Sequence, residues 1–150
     1  MSRVRFCVRI LVAFLFAVIL DVREALATSQ AWDGGASVYW TNNVNWSSDT
    51  SYPVSGDTAT FNNLPSGNRT NINVAGLSNI KYITFDGYNA AGYLIGSNVL
   101  NSQTLVFAND GEFKITGTAG NSQTFASTIQ LGVDRNGGNF SFRNDNAAYS

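Results

Sequence analysis

Asn101-Ser102-Gln103-Thr104-Leu105 returns twenty residues later as Asn121-Ser122-Gln123-Thr124-Phe125, and this pair decides how the chain is read. Around the two copies, from Ile83 to Phe142, apolar residues come in pairs split by one other residue. They are Ile83/Phe85, Tyr93/Ile95, Leu105/Phe107, Phe113/Ile115, Ile129/Leu131 and Phe140/Phe142. Alternation of this kind marks short strands with one buried face, because successive side chains of a strand point to opposite sides. Self-similarity at a fixed interval points to stacked units that bury their apolar faces only against each other. The expectation is an all-β chain built as a solenoid of about 20 to 25 residues per turn, with stacked Asn and Thr bonded along its axis. Strand cores at this spacing also suit a β-sandwich or jelly roll made of hairpins. A hairpin sandwich gives no reason for a polar Asn-Ser-Gln-Thr to repeat in register, and the solenoid does.

The 150 residues divide unevenly. Arg3, Arg5 and Arg9 precede an uncharged apolar run from Ile10 to Leu20, and Ala25-Leu26-Ala27 places small residues where a signal peptidase reads them. This pattern is that of a secretory signal peptide over residues 1–27, cleaved between Ala27 and Thr28. As a helix, the run would reach only about 16 Å across a hydrocarbon core of about 30 Å. Arg3, Arg5, Arg9 and Arg23 of the nine basic residues and Asp21 and Glu24 of the ten acidic ones precede Thr28, which leaves five basic and eight acidic side chains beyond it. No basic run survives, and this argues against a nucleic-acid partner.

Chemistry is sparse in what remains. The single cysteine, Cys7, lies ahead of the apolar run, and the chain has no histidine. That removes disulfides, thiol chemistry, the usual imidazole base and the commonest zinc ligand. Gly-x-Ser-x-Gly is missing, and Gly117-Thr118-Ala119-Gly120 lacks the lysine of a phosphate loop. No catalytic residue, cofactor or metal site is therefore assigned. The carboxylates Asp86, Asp110, Glu112 and Asp134, with Lys81, Lys114 and Arg135 as bases, are what a polysaccharide-active enzyme would draw on. Asp86 and Asp110 each precede glycine, and their separation is close to one expected turn. They are expected as turn residues, with calcium shared between equivalent corners as the sharper alternative. Gly92 and Gly96 flank a very short strand and are expected at tight corners of positive φ. Three Asn-x-Ser/Thr acceptor patterns, at Asn45, Asn68 and Asn139, carry no assigned role.

Residues 28–64 differ in texture from the rest. Trp32, Trp40 and Trp46 all lie here, with Tyr39 and Tyr52 beside them and turn residues between. Large aromatics at one end of a stack suit a cap that shields an open apolar end. The same indoles, beside Asn and Asp, also suit a glycan platform. Both readings stand open at this point.

Trp32-Asp33-Gly34-Gly35, Asn45-Trp46, Pro53 and Gly56-Asp57-Thr58-Ala59-Thr60-Phe61 resemble the opening of large exported bacterial proteins with autotransporter-associated β-strand repeats. Asn121-Ser122-Gln123-Thr124-Phe125, Ile129-Gln130-Leu131-Gly132 and Gly138-Asn139-Phe140-Ser141-Phe142 are similar to one turn of those repeats. The resemblance implies a right-handed parallel β-helix displayed outside the cell. The Gly-Thr-Leu-Thr-Leu strand typical of such repeats is not found here. The organisation expected is thus a signal peptide at 1–27, an aromatic-rich cap at 28–64 and solenoid turns over 65–150. Asn144 to Ser150 offers no closing cap, so more turns are expected beyond it. The function expected is a non-enzymatic, structural or adhesive surface protein that meets surface glycans or neighbouring surface proteins, with no membrane span after the signal. The rivals are the amino-terminal part of a polysaccharide-active β-helix enzyme and a carbohydrate-binding β-sandwich.

Overall fold

A computed structural model describes residues 27–133 and 138–148. The apolar signal-like run at Ile10–Leu20, with Asp134 and Arg135, lies outside the described residues. Within them the chain is nearly all strand and turn. In order come β1 (Ser29–Ala31), β2 (Thr58–Phe61), β3 (Asn71–Ile72), β4 (Ile80–Phe85), β5 (Leu94–Ile95), β6 (Thr104–Ile115), β7 (Thr124–Phe125), β8 (Thr128–Leu131) and β9 (Ser141–Asn144). Among the described residues the only helical pieces are two single 3-10 turns at Asn43–Asn45 and Ser66–Asn68.

Every pairing between these strands is parallel. The larger sheet runs β1-β2-β4-β6-β8, with β9 also on β6, and the smaller runs β3-β5-β7. Antiparallel hairpins, which the sandwich alternative requires, do not occur between these strands. In the larger sheet Thr58 lies opposite Tyr82, Tyr82 opposite Glu112 and Glu112 opposite Ser141. In the smaller, Asn71 faces Leu94 and Leu94 faces Thr124. Each of these steps advances the chain by roughly 23 to 30 residues, within the range of stacked repeat units.

These steps correct the twenty-residue interval. Thr104 pairs with Thr128, whereas Thr124 pairs with Leu94, so the two Asn-Ser-Gln-Thr copies enter different sheets and do not stack on one another. What they share is local. Gln103 Oε1 accepts from Val74 N at 2.9 Å, and Gln123 Oε1 accepts from Tyr93 N at 2.9 Å. Each glutamine satisfies the backbone N–H of a residue that flanks a short strand of the preceding step. Amide pairing across steps does occur, as in Asn71 Nδ2 donating to Asn98 Oδ1 at 2.6 Å.

The alternating pattern sends matching positions inward. Ala59, Ile83, Phe113 and Phe142 occupy one register column of the larger sheet, and Phe61, Phe85 and Ile115 the next. Phe61 stacks on Phe85 with centroids 5.0 Å apart, and Phe85 meets Phe113 at 5.6 Å and Phe125, of the smaller sheet, at 6.4 Å. One apolar cluster therefore runs between the sheets, from Trp32 to Phe107. Burial declines toward the far end. Ile83, Phe85, Ile95 and Leu105 are fully buried, Phe113, Ile115 and Phe125 only in part, and Ile129, Leu131 and Phe142 are exposed. The cause is neighbour count: β8 and β9 each pair with β6 alone.

The Asn109-Asp110-Gly111 turn does not end a strand. β6 runs through it, with Asp110 held at φ 59. Ile80 faces Phe107 while Tyr82 faces Glu112, so β6 takes more residues than β4 over the same stretch. The excess forms a bulge that separates two arms of β6. Of the two expected glycine corners only Gly96 has positive φ, at +125, and a Cβ there would stand 2.7 Å from Ser127 N. Gly92 does not take positive φ, and a Cβ there would meet its nearest neighbour, Ser122 O, at 3.4 Å, so the expected left-handed corner is corrected there.

Candidate functional site

The outward face of the larger sheet brings Glu112, Lys114 and Arg143 together. Parallel pairing puts Tyr82, Glu112 and Ser141 in one outward column and Thr60, Thr84, Lys114 and Arg143 in the next. Two shallow clefts, of about 330 and 450 Å³, adjoin there and share Tyr82 and Glu112. Arg143 lies 2.9 Å from Asp145 and 4.0 Å from Glu112, and Lys114 lies 3.9 Å from Asp145. Lys81 Nζ sits 5.4 Å from the centroid of the Tyr82 ring. Lys114 and Arg143 are thus engaged by carboxylates, and Lys81 by a ring. Partly exposed pairs of this kind contribute about 0–1 kcal/mol apiece, so they fix side-chain positions more than they stabilise the fold.

Asp86 and Asp110 are not brought together. The ladder that pairs Phe85 with Ile115 sets Asp86 beside Thr116, while Asp110 sits in the β6 bulge. Asp86 Oδ1 accepts from Thr116 Oγ1 at 2.5 Å and from Thr118 Oγ1 at 2.7 Å. The hydrogen bond from Thr116, then that from Thr118, hold its carboxyl below the usual carboxylate range, against a smaller opposing effect of burial. Asp110 Oδ1 accepts from Asn139 N at 3.0 Å. Each carboxylate accepts chiefly from donors about 30 residues further along the chain, and not from the local backbone donors expected of an Asp-Gly turn pair. The shared-calcium alternative is corrected, since the position that stacks on Asp86 is Thr116 and not Asp110. Among the described residues no group of three or more His, Cys, Asp or Glu is placed to hold a metal.

The three tryptophans are also corrected as glycan contacts. Trp32, Trp40 and Trp46 are each 0% exposed, so no indole face is free to stack on a sugar. They pack edge-on, Trp46 against Trp32 at 5.1 Å and against Trp40 at 4.8 Å, and all three meet Phe61. Each indole N–H has a carbonyl: Trp32 donates to Arg69, Trp40 to Pro53 and Trp46 to Trp40. A buried indole without such a partner would cost about 1–3 kcal/mol. At the expected cleavage point, Thr28 N donates to Asp57 Oδ1 at 2.8 Å.

The sequence marks Asn45 as an acceptor pattern and as part of the Asn45-Trp46 motif, and neither points to the role that its side chain takes in the fold. Its side chain is fully buried. Oδ1 accepts from Ala36 N and Ser37 N at 2.9 and 2.7 Å, and Nδ2 donates to Ser37 Oγ and Tyr39 O at 3.0 and 2.8 Å. Its place between two tryptophans in a turn-rich segment was the available signal. Among the described residues, no helix is long and apolar enough to cross a membrane. Compared with protein-family models, curated proteins and solved structures, the chain matches none.

Proposed function

We propose that the chain forms successive turns of a right-handed parallel β-helix and serves, outside the cell, as a non-enzymatic structural or adhesive rod. The observation that carries this reading is the wholly parallel pairing of strands, in matched register, at each successive step along the chain. A chain that returns in the same direction at each step, with apolar columns facing inward, is most simply a coil. Parallel crossovers within a sheet are right-handed in about 98% of cases, which supports the hand. The signal-like amino terminus supports export, and the resemblance to autotransporter-associated repeats supports a bacterial surface. Function in such a body is mechanical: a stiff stack holds outward columns in fixed rows, and repeated weak contacts along them add up by avidity.

Spin labels test the coil. Labels at Thr60→Cys and Lys114→Cys should lie about 10 Å apart across two strand steps, and at Thr60→Cys and Arg143→Cys about 14 Å across three. A separation that does not grow with the number of steps would overturn the reading. Export and adhesion are tested by expressing the full chain in a Gram-negative host, then measuring protease accessibility on whole cells and cell–cell clumping. Retention inside the cell would refute the surface role.

A second reading, the polysaccharide-active enzyme, draws on the outward cluster of Glu112, Lys114, Arg143 and Asp145. Its cations are committed to ion pairs, which leaves no free base opposite an acid. Unsaturated product released from polygalacturonate by the full chain, and lost in Lys114→Ala, would establish it over the first.

A further inference from the structure

Between Tyr39 and Tyr52 lies a cleft of about 660 Å³, lined also by Thr41, Asn43, Val44 and Asp49. Tyr39 is half exposed and Tyr52 partly so. We propose that this cleft binds a saccharide, neutral or amino-bearing, and that the two tyrosines hold the sugar, not the buried tryptophans.

The walls are fixed before any ligand arrives. Tyr39 precedes Trp40 and Tyr52 precedes Pro53, and the buried Trp40 Nε1 donates to Pro53 O at 2.9 Å, tying the two sides together. Tyr39 O accepts from Asn45 Nδ2, and the backbone of Tyr39 bridges to Asn73. Asn43 Nδ2 donates to Thr50 O at 2.9 Å, and Asp49, at φ 56, donates its N–H to Trp46 O at 2.8 Å. Little ordering is left for binding to cost.

The lining matches a sugar in kind. Aromatic faces take the C–H side of a pyranose, and polar groups at their edges take its hydroxyls. Among the described residues, the Asp49 carboxylate, the Thr41 hydroxyl and the two phenols make no side-chain hydrogen bond to protein, although other polar side chains nearby are satisfied. No Lys or Arg lines the cleft, and Asp49 gives it negative charge. The exposed Asp49 carboxylate therefore disfavours uronic or sulfated sugars and favours a neutral or cationic ring.

The inference deepens the adhesive reading by naming a ligand class and rests on it for where that ligand is met. The test uses the full chain with four probes, cellohexaose, mannohexaose, a chitosan hexamer and hexagalacturonate, by saturation-transfer NMR and calorimetry. At least one of the first three should bind and hexagalacturonate should not. Tyr39→Ala and Tyr52→Ala should each weaken binding by about tenfold or more, while Asp49→Asn weakens the chitosan hexamer more than cellohexaose. Should an alanine variant fail to fold, Tyr39→Phe and Tyr52→Phe keep the rings and should weaken binding through the lost phenols alone. Silence from all three accepted probes, equal binding by the tyrosine variants, preference for hexagalacturonate, or binding of a decaproline peptide in their place would each overturn the proposal. Lost binding with an intact spin-label ladder removes the cleft and leaves the rod standing.

Discussion

Removing the Asn45 side chain should unlock the amino-terminal segment, and the size of the effect follows from its four hydrogen bonds. Asn45→Ala deletes the acceptor of Ala36 N and Ser37 N and the donor to Ser37 Oγ and Tyr39 O, at a residue that is fully buried. A typical bond contributes about 1 kcal/mol net, and a buried donor left unpaired costs about 1–3 kcal/mol. Tyr39 O keeps a second donor in Asn42 N, and Ser37 Oγ keeps Asn42 Nδ2, so the loss concentrates on the two backbone N–H groups. Ala36 is exposed and Ser37 half-buried, so water can reach the freed N–H groups, and the expected destabilisation is about 2–3 kcal/mol, which lowers Tm by on the order of 5–10 °C for a chain of this size. Asn45→Asp separates the donor from the acceptor. It keeps the two accepted bonds, which favour the charged form, but turns the donor into a second oxygen facing Tyr39 O, so burial and that carbonyl should outweigh them and raise the folded pKa of the new carboxyl. A raised folded pKa means that the full penalty holds above that value and fades as pH falls toward the unfolded value of about 3.9, because the protonated acid donates again. Thermal melts followed by near-ultraviolet circular dichroism from pH 4 to 8 read both effects. An Asn45→Ala protein within about 0.5 kcal/mol of wild type, or an Asn45→Asp deficit that does not change with pH, would refute the reasoning.

Phe85→Ala should cost about 3–5 kcal/mol, since Phe85 is fully buried among Phe61, Tyr93, Phe113 and Phe125, whereas Phe142→Ala, more than half exposed, should cost under about 1 kcal/mol. Denaturant titration of both variants checks the gradient of burial, and equal costs would contradict it. Gln123→Leu leaves Tyr93 N without its acceptor; amide exchange should speed up at Tyr93 and Leu94 and stay unchanged at Ala59 and Phe61. Asp86, whose carboxyl is held low chiefly by Thr116 and then Thr118, stabilises the fold above its unfolded pKa and loses that contribution as pH falls through the depressed folded value. Thr116→Val with Thr118→Val should therefore flatten the acid limb of the stability curve, by a small amount because the site is largely open to solvent; an unaltered limb would remove Asp86 from the account.

The sequence by itself determined the inward face of β4 and of the two arms of β6, but not the burial of Ile129, Leu131 and Phe142, which share the pattern and stand exposed. Alternation at Ile83/Phe85, Leu105/Phe107 and Phe113/Ile115 is a local property, set by the pleat of the strand, and the all-β character followed from it. The sequence also showed that no imidazole is available to any site, since the chain has no histidine. Which strand lies beside which was decided only in three dimensions. Alternation specifies a face and not a neighbour, and the turns between strands vary in length. Tyr82 therefore came to lie beside Glu112, and Leu94 beside Thr124, at steps longer than the Asn-Ser-Gln-Thr echo suggested. The tryptophans show the same division. Their crowding near the start was legible, but an indole can serve equally as a sugar platform or as core, and only the closing of Trp32, Trp40 and Trp46 over Phe61 buried them and left Tyr39 and Tyr52 at the surface.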